Sequence, residues 1–276
     1  MDNKNYQQLT RTFLRLSRFS HLSAIASWDM FAMMPPGGSA ARGEALAELS
    51  VLEHQILTEP KVAQWLATAA QEDLNDVEQA NLREMTRLHT QAALLPESLV
   101  EAKSLAGSRC EHAWRSQRPA NDWQGFSANL KEVVKLSREE ARLRADVKGC
   151  SPYDALLDIY EPDMTSAQLD GLFCRSQIVA AGSAQPRGCP PVTAVADCPV
   201  GPFPTAVQRE LGLETMSVLG FDFNAGRLDI SAHPFCGGVP EDVRITTRYD
   251  ENELLSALFG VIHETGHARY EQNLAA

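Results

Sequence analysis

The chain has 276 residues, and 36 acidic against 25 basic side chains give it a formal net charge of −11. Hydrophobic residues make up 44% and charged residues 22%, a composition that excludes an intrinsically disordered chain. The negative charge also disfavours nucleic-acid binding, because phosphate backbones are held by basic surfaces. A chain of this length is expected to form one large or two ordinary domains.

The N-terminal sequence and the spacing of the cysteines indicate the cellular compartment. Charges are spread through the N-terminal segment, and no window holds about 18 uninterrupted apolar residues, so we expect neither a secretory signal nor a membrane span. The six cysteines are scattered and lack the close pairing of a zinc knuckle, which favours a reduced, cytoplasmic protein.

Helical periodicity dominates the first part of the chain. Apolar residues recur at helical spacing from Leu9 to Ile25 and again from Ala41 to Ile56. The prolines and glycines of Met34–Gly38 interrupt the period between these two predicted helices.

Further helices follow with their own start signals. Asn75 and Glu78 have the spacing of a capping box, and Pro96 suits the first turn of the next helix. Asn121 is expected to cap a helix that begins near Trp123. These features predict a helical region that extends to about residue 170.

The composition changes between Cys174 and Val200. This stretch has four of the chain's 15 prolines, three of its six cysteines and neither a helical nor a strand period. Thr165 and Gln168 have capping-box spacing just before it, but no clear helix is predicted to follow. A flexible loop and a locally shifted reading frame both remain possible interpretations, although so long a structureless loop is unusual in a compact domain.

Ordered structure is predicted to resume after this stretch. Thr205–Leu219 suits a helix, and the alternating patterns of Leu228–Ile230 and Val243–Tyr249 predict two strands that pair across a loop at Ala232–Glu241. Asp250 then precedes a final helix. Its predicted apolar stripe consists of Leu254, Leu258, Val261, Ile262 and Thr265. The predicted fold class is mainly α with one small β-sheet.

The final helix carries the sequence His263-Glu264-Thr265-Gly266-His267. Histidines at positions i and i+4 lie one turn apart on the same face, so both imidazoles can bind one Zn²⁺. Glu264 lies about 100° around the helix axis from His263, where it can act as general base towards water activated by the metal. The pattern indicates a zinc-dependent hydrolase.

A catalytic zinc site usually has three protein ligands and one open position. Glu271 is eight residues from His263, about 12 Å along a straight helix, which is too far for both to share one metal. His233 is possible in principle, and an endopeptidase that uses it is one alternative. Otherwise the third protein ligand is expected to be absent from this chain.

Two arginines on the strand before the zinc motif have two possible roles. Arg244 and Arg248 could bind a substrate carboxylate by bidentate hydrogen bonds beside a sheet edge that holds an extended peptide. They could equally form a solvated strand face.

The motifs together resemble the carboxypeptidase Taq family of zinc metallocarboxypeptidases. The resemblance covers nearly all of the chain except 174–200. The matching segments are Ser20-His21-Leu22, Trp28-Asp29, Met34–Gly38, Tyr153–Leu157, Gly201–Pro204, His233-Pro234-Phe235, Asp242–Tyr249 and His263–His267.

The resemblance implies a large helical metallopeptidase fold with a small β-sheet beside the zinc-motif helix. It implies a cytoplasmic homodimer that removes C-terminal residues from peptides with broad specificity. The charge and the lack of long apolar runs separately predict no nucleic-acid partner and no membrane partner. By position, His263 and His267 would bind zinc and Glu264 would be the base. The residues expected to contact substrate are His233, Arg244, Arg248 and Tyr249, with Asp242 shaping the same groove.

The family's further glutamate ligand and an Ile-Arg…Ala-Asp motif are not found in this sequence. We therefore expect 1–276 to be a single, incomplete metallocarboxypeptidase domain. Its parts would be a helical region at 1–173, an irregular segment at 174–200, and the substrate strand and zinc helix at 201–276. A non-catalytic helical remnant or interaction protein is the alternative to an active enzyme.

Overall fold

The computed structural model describes residues 3–183 and 201–274. The chain forms two compact units, one containing 1–133 together with 200–276 and the other containing 134–199. The single domain expected from the sequence stays a prediction, because compactness alone does not decide whether the units fold independently. No helix in the described ranges has the length and apolar character needed to cross a bilayer.

The described residues are mainly helical, as predicted. The α-helices are α1 (Lys4–Ala32), α2 (Ser39–Leu57), α3 (Pro60–Ala69), α4 (Asp76–Ala93), α5 (Glu97–Gln117), α6 (Trp123–Lys148), α7 (Pro152–Tyr160), α8 (Ser166–Ser183), α9 (Thr205–Val218) and α10 (Leu254–Gln272). A short 3₁₀ turn, Pro36–Gly38, separates α1 from α2 and confirms the predicted break.

One hydrophobic core lies among α1, α3 and α4. Leu9 and Val62 are fully buried at its centre, and the apolar face of each helix supplies the remainder. The other buried members are Tyr6, Leu66, Ala69, Leu74 and Leu82. This core fixes the N-terminal half of α1, while its C-terminal half extends towards the sheet.

The predicted N-terminal cap is confirmed at helix α4 and differs from the observed one at helix α6. The Asn75 side chain accepts hydrogen bonds from the first turn of α4, and Glu78 accepts one from the Asn75 N–H at 2.9 Å, which confirms the capping box. At α6 the predicted cap is wrong. Asp122, not Asn121, accepts the hydrogen bond from the N–H of Gly125, because Asn121 has a positive φ in the preceding turn.

Helix α8 corrects the predicted irregular segment. The Thr165 N–H and hydroxyl both donate to Gln168 Oε1 at 2.8 Å, so the capping box forms. The helix then continues to Ser183, and the expectation of irregular structure from residue 174 is wrong for 174–183. The cap provides hydrogen-bond acceptors for backbone N–H groups at the start of α8. The Arg, Gln and Ala residues that follow have high helix propensity. The rest of the predicted segment, 184–200, lies outside the described residues.

Three strands form one sheet in the order β1 (Gly226–Ile230), β3 (Asp242–Thr247), β2 (Phe235–Val239). Strands β1 and β3 are parallel, with Leu228 opposite Ile245, so the predicted pair forms. The predicted loop at Ala232–Glu241 is wrong, because it contains β2, which pairs antiparallel with β3. Two consecutive glycines in β2 interrupt the side-chain alternation by which a strand is recognised.

Helix α10 packs on the sheet through small residues. Its buried positions are Ala257, Val261, Glu264, Thr265 and Ala268. The predicted stripe is therefore displaced around the helix, and Ile262 is 36% exposed. Alanines let the helix axis approach the sheet, whereas periodicity gives more weight to large apolar residues. Val261 joins Leu228, Val243, Ile245 and Met216 in a second hydrophobic core.

The tight β2–β3 hairpin allows a matched test of backbone conformation. Gly238 has φ of +119°, and a Cβ there would overlap the carbonyl oxygen of Asp242. We expect Gly238→Ala to lower the free energy of unfolding by about 2 kcal/mol or more. Gly237 has open space around its Cβ position, so Gly237→Ala should change stability by less than about 1 kcal/mol. Urea denaturation of both variants measures the difference, and equal effects would contradict the proposed strain.

Candidate active site

The two histidines of α10 form the geometric centre of the site. His263 and His267 are both exposed, and their Nε2 atoms lie 3.2 Å apart. Two nitrogen ligands at about 2.0–2.1 Å from a tetrahedral zinc ion are separated by about 3.3–3.4 Å. The imidazoles are thus already close to the spacing that a shared metal ion requires.

In the described part of the chain, two imidazole side chains meet at this centre. No group of three or more His, Cys, Asp or Glu side chains with metal-binding geometry occurs in it. Neither His233 nor Glu271 completes the pair there, so the alternative with His233 as third ligand is not supported. A metal ion bound here would take its further donors from outside the described residues or from solvent.

Glu264 lies on the buried face of α10, next to the metal-binding face. Its exposure is only 8%. The pKa of the Cys236 thiol on β2 is raised to about 11, chiefly by burial and further by the negative charges of Glu264 and Glu271. The Glu264 side chain therefore lies near the sheet, in surroundings shielded from bulk water, directly after His263 in the sequence.

The His233-Pro234 segment lies against α10 just before the metal-binding turn. A Cβ at Gly260 would lie 3.6 Å from Cγ of Pro234, so only a small residue allows this close packing. The segment is fixed by the Ser231 hydroxyl, which donates to the carbonyl oxygen of His233 at 2.6 Å. This arrangement leaves the His233 side chain exposed beside the site.

Arg244 contacts other side chains and does not lie on a solvated strand face. Its Nε and Nη2 atoms donate to both carboxylate oxygens of Asp242 at 2.9 Å, and its side chain is 17% exposed. Its Cζ lies 4.3 Å from the ring centre of Trp28, and Cζ of Arg227 lies 5.2 Å from the same ring. The alternative of a solvated strand face is therefore wrong for Arg244. In the sequence Trp28 stands out only as part of a motif, because its contacts with Arg227 and Arg244 join residues about 200 positions apart.

Arg248 and Tyr249 have different surroundings. Arg248 is exposed at the end of β3. Tyr249 is partly buried, and burial raises the pKa of its phenol while the positive charge of Arg209 on α9 opposes that increase. The substrate contacts expected of both residues, and of His233 and Arg244, stay predictions.

Comparisons with known proteins agree with the motifs and the fold. The family model described as carboxypeptidase Taq (M32) metallopeptidase matches residues 8–276. This chain belongs to that family. A thermostable carboxypeptidase 1 from Thermus thermophilus is 37% identical over 98% of the chain and 55% of its own length. A carboxypeptidase 1 from Bacillus subtilis is 31% identical over 94% of the chain and 52% of its own length.

Structural similarity supports the same assignment. Metallocarboxypeptidase 1 of Trypanosoma cruzi has a TM-score of 0.82 and 45% sequence identity, with coverage of 98% of this chain and 55% of that one. The M32 chain described here thus spans about half the length of the relatives it matches. The helical fold with a small sheet beside the zinc-motif helix, expected from the resemblance, is confirmed.

The Asp242–Arg244 pair should make the stability of this M32 chain depend on pH. Hydrogen bonds from Arg244 hold the pKa of the Asp242 carboxyl below its ordinary value of 3.8, against the opposing effect of burial, and the charges of Arg244 and His21 lower it further. A lowered pKa in the folded state means that Asp242 stabilises the fold above pH 3.8 and that this contribution is lost as the pH falls through the lowered value.

We expect Asp242→Asn to lower the free energy of unfolding by about 1 kcal/mol at pH 7 and by progressively less as the pH falls below about 4. Glu241→Gln, at the exposed neighbouring position, serves as the matched control and should show no such difference. Urea denaturation between pH 7 and pH 3 measures both. A deficit of Asp242→Asn that stays constant over this range would contradict the assignment.

Proposed function

We propose that this chain is part of a zinc-dependent metallocarboxypeptidase that releases C-terminal residues from peptides. The observation that carries the proposal is the 3.2 Å separation of the His263 and His267 Nε2 atoms on one exposed face of α10. Membership of a metallopeptidase family supports a metal in this position. The choice of zinc rests on the imidazole ligands and on the spacing of the motif.

The proposed site residues have two different roles, metal binding and proton transfer. His263 and His267 hold the metal, which when bound polarises the scissile carbonyl and acidifies water. The Glu264 carboxylate accepts a proton from the attacking water and delivers it to the nitrogen of the departing residue. Its burial beside the sheet fixes the carboxylate and limits competition from bulk solvent.

The substrate would lie along the surface between the sheet and α10. His233, Arg244, Arg248 and Tyr249 are the proposed substrate contacts, and Asp242 orients Arg244 through its two hydrogen bonds. Broad specificity, a cytoplasmic location and a homodimer are proposed from the family resemblance.

Removing the proposed base tests the mechanism. We expect Glu264→Gln to lower hydrolysis of a C-terminally free peptide by at least about 100-fold, because an amide cannot accept the proton. Zinc binding should be unchanged, because both histidines remain. Glu271→Gln is the matched control, since it removes a second carboxylate of the same helix that acts on Cys236. Amino-acid release and bound zinc are measured on the same samples, and full turnover in Glu264→Gln would refute the assigned role.

Zinc retention gives a second test that does not depend on activity. The described residues supply two protein ligands, which would leave zinc half-coordinated, so we expect the metal to be lost on extended dialysis, with about micromolar or weaker affinity. His263→Ala should weaken zinc binding by at least about tenfold, while His89→Ala on α4 should have no effect. Metal analysis after equilibrium dialysis measures these affinities. Tight stoichiometric zinc in the unaltered chain would contradict a two-ligand site.

A non-catalytic helical remnant or interaction protein is the second candidate. The observation in its favour is that the described residues bring together only two metal-binding side chains. If zinc-supplemented protein releases no C-terminal residue, this candidate is favoured for the present chain. Release of amino acids that disappears in Glu264→Gln favours the enzyme.

A further inference from the structure

The outer face of α10 carries exposed aromatic side chains on both sides of the histidine pair. Steps of four, four and three residues lead from Phe259 through His263 and His267 to Tyr270, so these four side chains lie within about 80° around the helix axis. Phe259 is 62% and Tyr270 67% exposed. Large apolar side chains exposed together in one row are typical of a surface that contacts another protein.

The histidine pair fills only half of the positions of a tetrahedral zinc ion. The two Nε2 atoms have the spacing of ligands to one ion, and the described residues bring no third metal-binding side chain to them. Because both imidazoles are exposed, a second molecule can reach the same ion from its open side. Two copies of this chain together supply four imidazole nitrogens, which is a complete ligand set for zinc.

The outer face of α10 has few charges that would oppose a second copy. From Leu254 to His267, the only Asp, Glu, Lys or Arg of the helix is Glu264, which lies on the buried face. The last turns carry Arg269 and Glu271, which have opposite charges. The net charge of −11 on each chain causes repulsion at longer range, but salt at about 0.15 M screens it beyond about 8 Å.

We propose that two copies of this chain pair through their α10 helices and share one zinc ion, which His263 and His267 of both copies hold. This inference rests on the proposed metal binding by the two histidines. The copies are related by a two-fold axis through the ion, and the helices run antiparallel, so that their dipoles oppose each other favourably.

Antiparallel pairing brings the exposed aromatic residues together. The two-fold axis passes midway between the histidines, at the level of Thr265. Phe259 lies six residues before this level and Tyr270 five residues after it, about 9 Å and 7.5 Å along the helix. Phe259 of one copy therefore lies opposite Tyr270 of the other, twice in each pair. These contacts remove exposed aromatic surface from water and add to the binding supplied by the shared ion.

The paired form is closed to substrate. A catalytic zinc site keeps one open position, and four imidazoles leave none for water or for a peptide. Pairing through the ion therefore makes an inactive form of the chain, and its amount rises with chain concentration by mass action.

The dependence of molecular mass on zinc tests whether the ion is shared. The chain at about 100 μM is analysed by sedimentation velocity without metal, with half an equivalent of zinc, and with about ten equivalents. We expect half an equivalent to raise the weight-average mass at least about 1.5-fold over the metal-free chain. Excess zinc should reverse this increase, because each histidine pair then binds its own ion. A mass that does not respond to zinc, or that stays raised in excess zinc, would overturn the proposal.

A histidine variant locates the effect in the metal-binding pair. His267→Ala removes two of the four donors and should abolish the zinc-dependent increase in mass, whereas His89→Ala on α4 should retain it. His267 is exposed, so the variant is expected to fold, and circular dichroism checks this. A full increase in mass for His267→Ala would show that the ion is not shared through this pair.

Exchanged charges test the antiparallel register. Phe259→Lys and Tyr270→Glu should each weaken the zinc-dependent dimer at least about tenfold, because each places charges opposite aromatic rings. The double variant should recover to within about threefold of the unaltered chain, because each lysine then lies opposite a glutamate of the other copy. Within one chain the two positions are about 16 Å apart along the helix, too far to form an ion pair.

Tyr160→Glu, at an exposed position on α7, is the matched control and should leave the dimer unchanged. A double variant that dimerises no better than the single variants would overturn the antiparallel pairing.

Metal analysis on the same samples separates this inference from the proposed function. One zinc per chain without any increase in mass overturns the shared ion and leaves the proposed metal centre standing. If no zinc binds at all, the metal centre and the shared ion are both refuted.

Discussion

The close packing of α10 on strand β3 is the constraint on which the candidate site depends. Thr246 and Thr247 of the strand are fully buried, and the Thr247 hydroxyl lies 3.5 Å from the carbonyl oxygen of Ala257 on the helix. Small residues make this approach possible, because a larger side chain at Ala257 or Gly260 would separate helix from strand. Because α10 packs this closely on β3, its rotation about its own axis is fixed too. Glu264 then lies against the sheet, and His263 and His267 face outward together.

Helix α1 connects this site to the rest of its unit. Near its start, Leu9 is fully buried in the core shared with α3 and α4. Near its end, Trp28 lies beneath the Arg244 guanidinium, and Phe31 contacts both Phe235 and Arg115. Helix α1, which is 29 residues long, is thus held at one end by the apolar core. At its other end it packs against the charged and aromatic side chains near the candidate site. The aromatic rings stabilise partly buried arginines near the site, because cation–π contact compensates part of their charge.

The limits of the sequence are seen at particular elements. The sequence does not predict strand β2, because Gly237 and Gly238 interrupt the alternation of side chains. This strand forms one edge of the sheet and carries both Phe235 and Cys236. The buried face of α10 differs from the predicted apolar stripe, because hydrophobic periodicity contains no information on how closely alanines allow a helix to pack on a strand. Helix α8 extends past residue 174 to Ser183, although the sequence shows only its capping box at Thr165 and Gln168 and no clear helical period after it.

The sequence by itself determined the helical spacing of His263, Glu264 and His267 and the family, because these depend on the identity and order of residues along the chain. Only the tertiary structure decided which face of α10 is buried, that Arg244 pairs with Asp242 against Trp28, and that Arg115 and His233 line the same cavity. Arg115 and His233 are 118 positions apart in the sequence. Their proximity arises from the packing of α1, α5 and the sheet, and local spacing contains no information about contacts of that range.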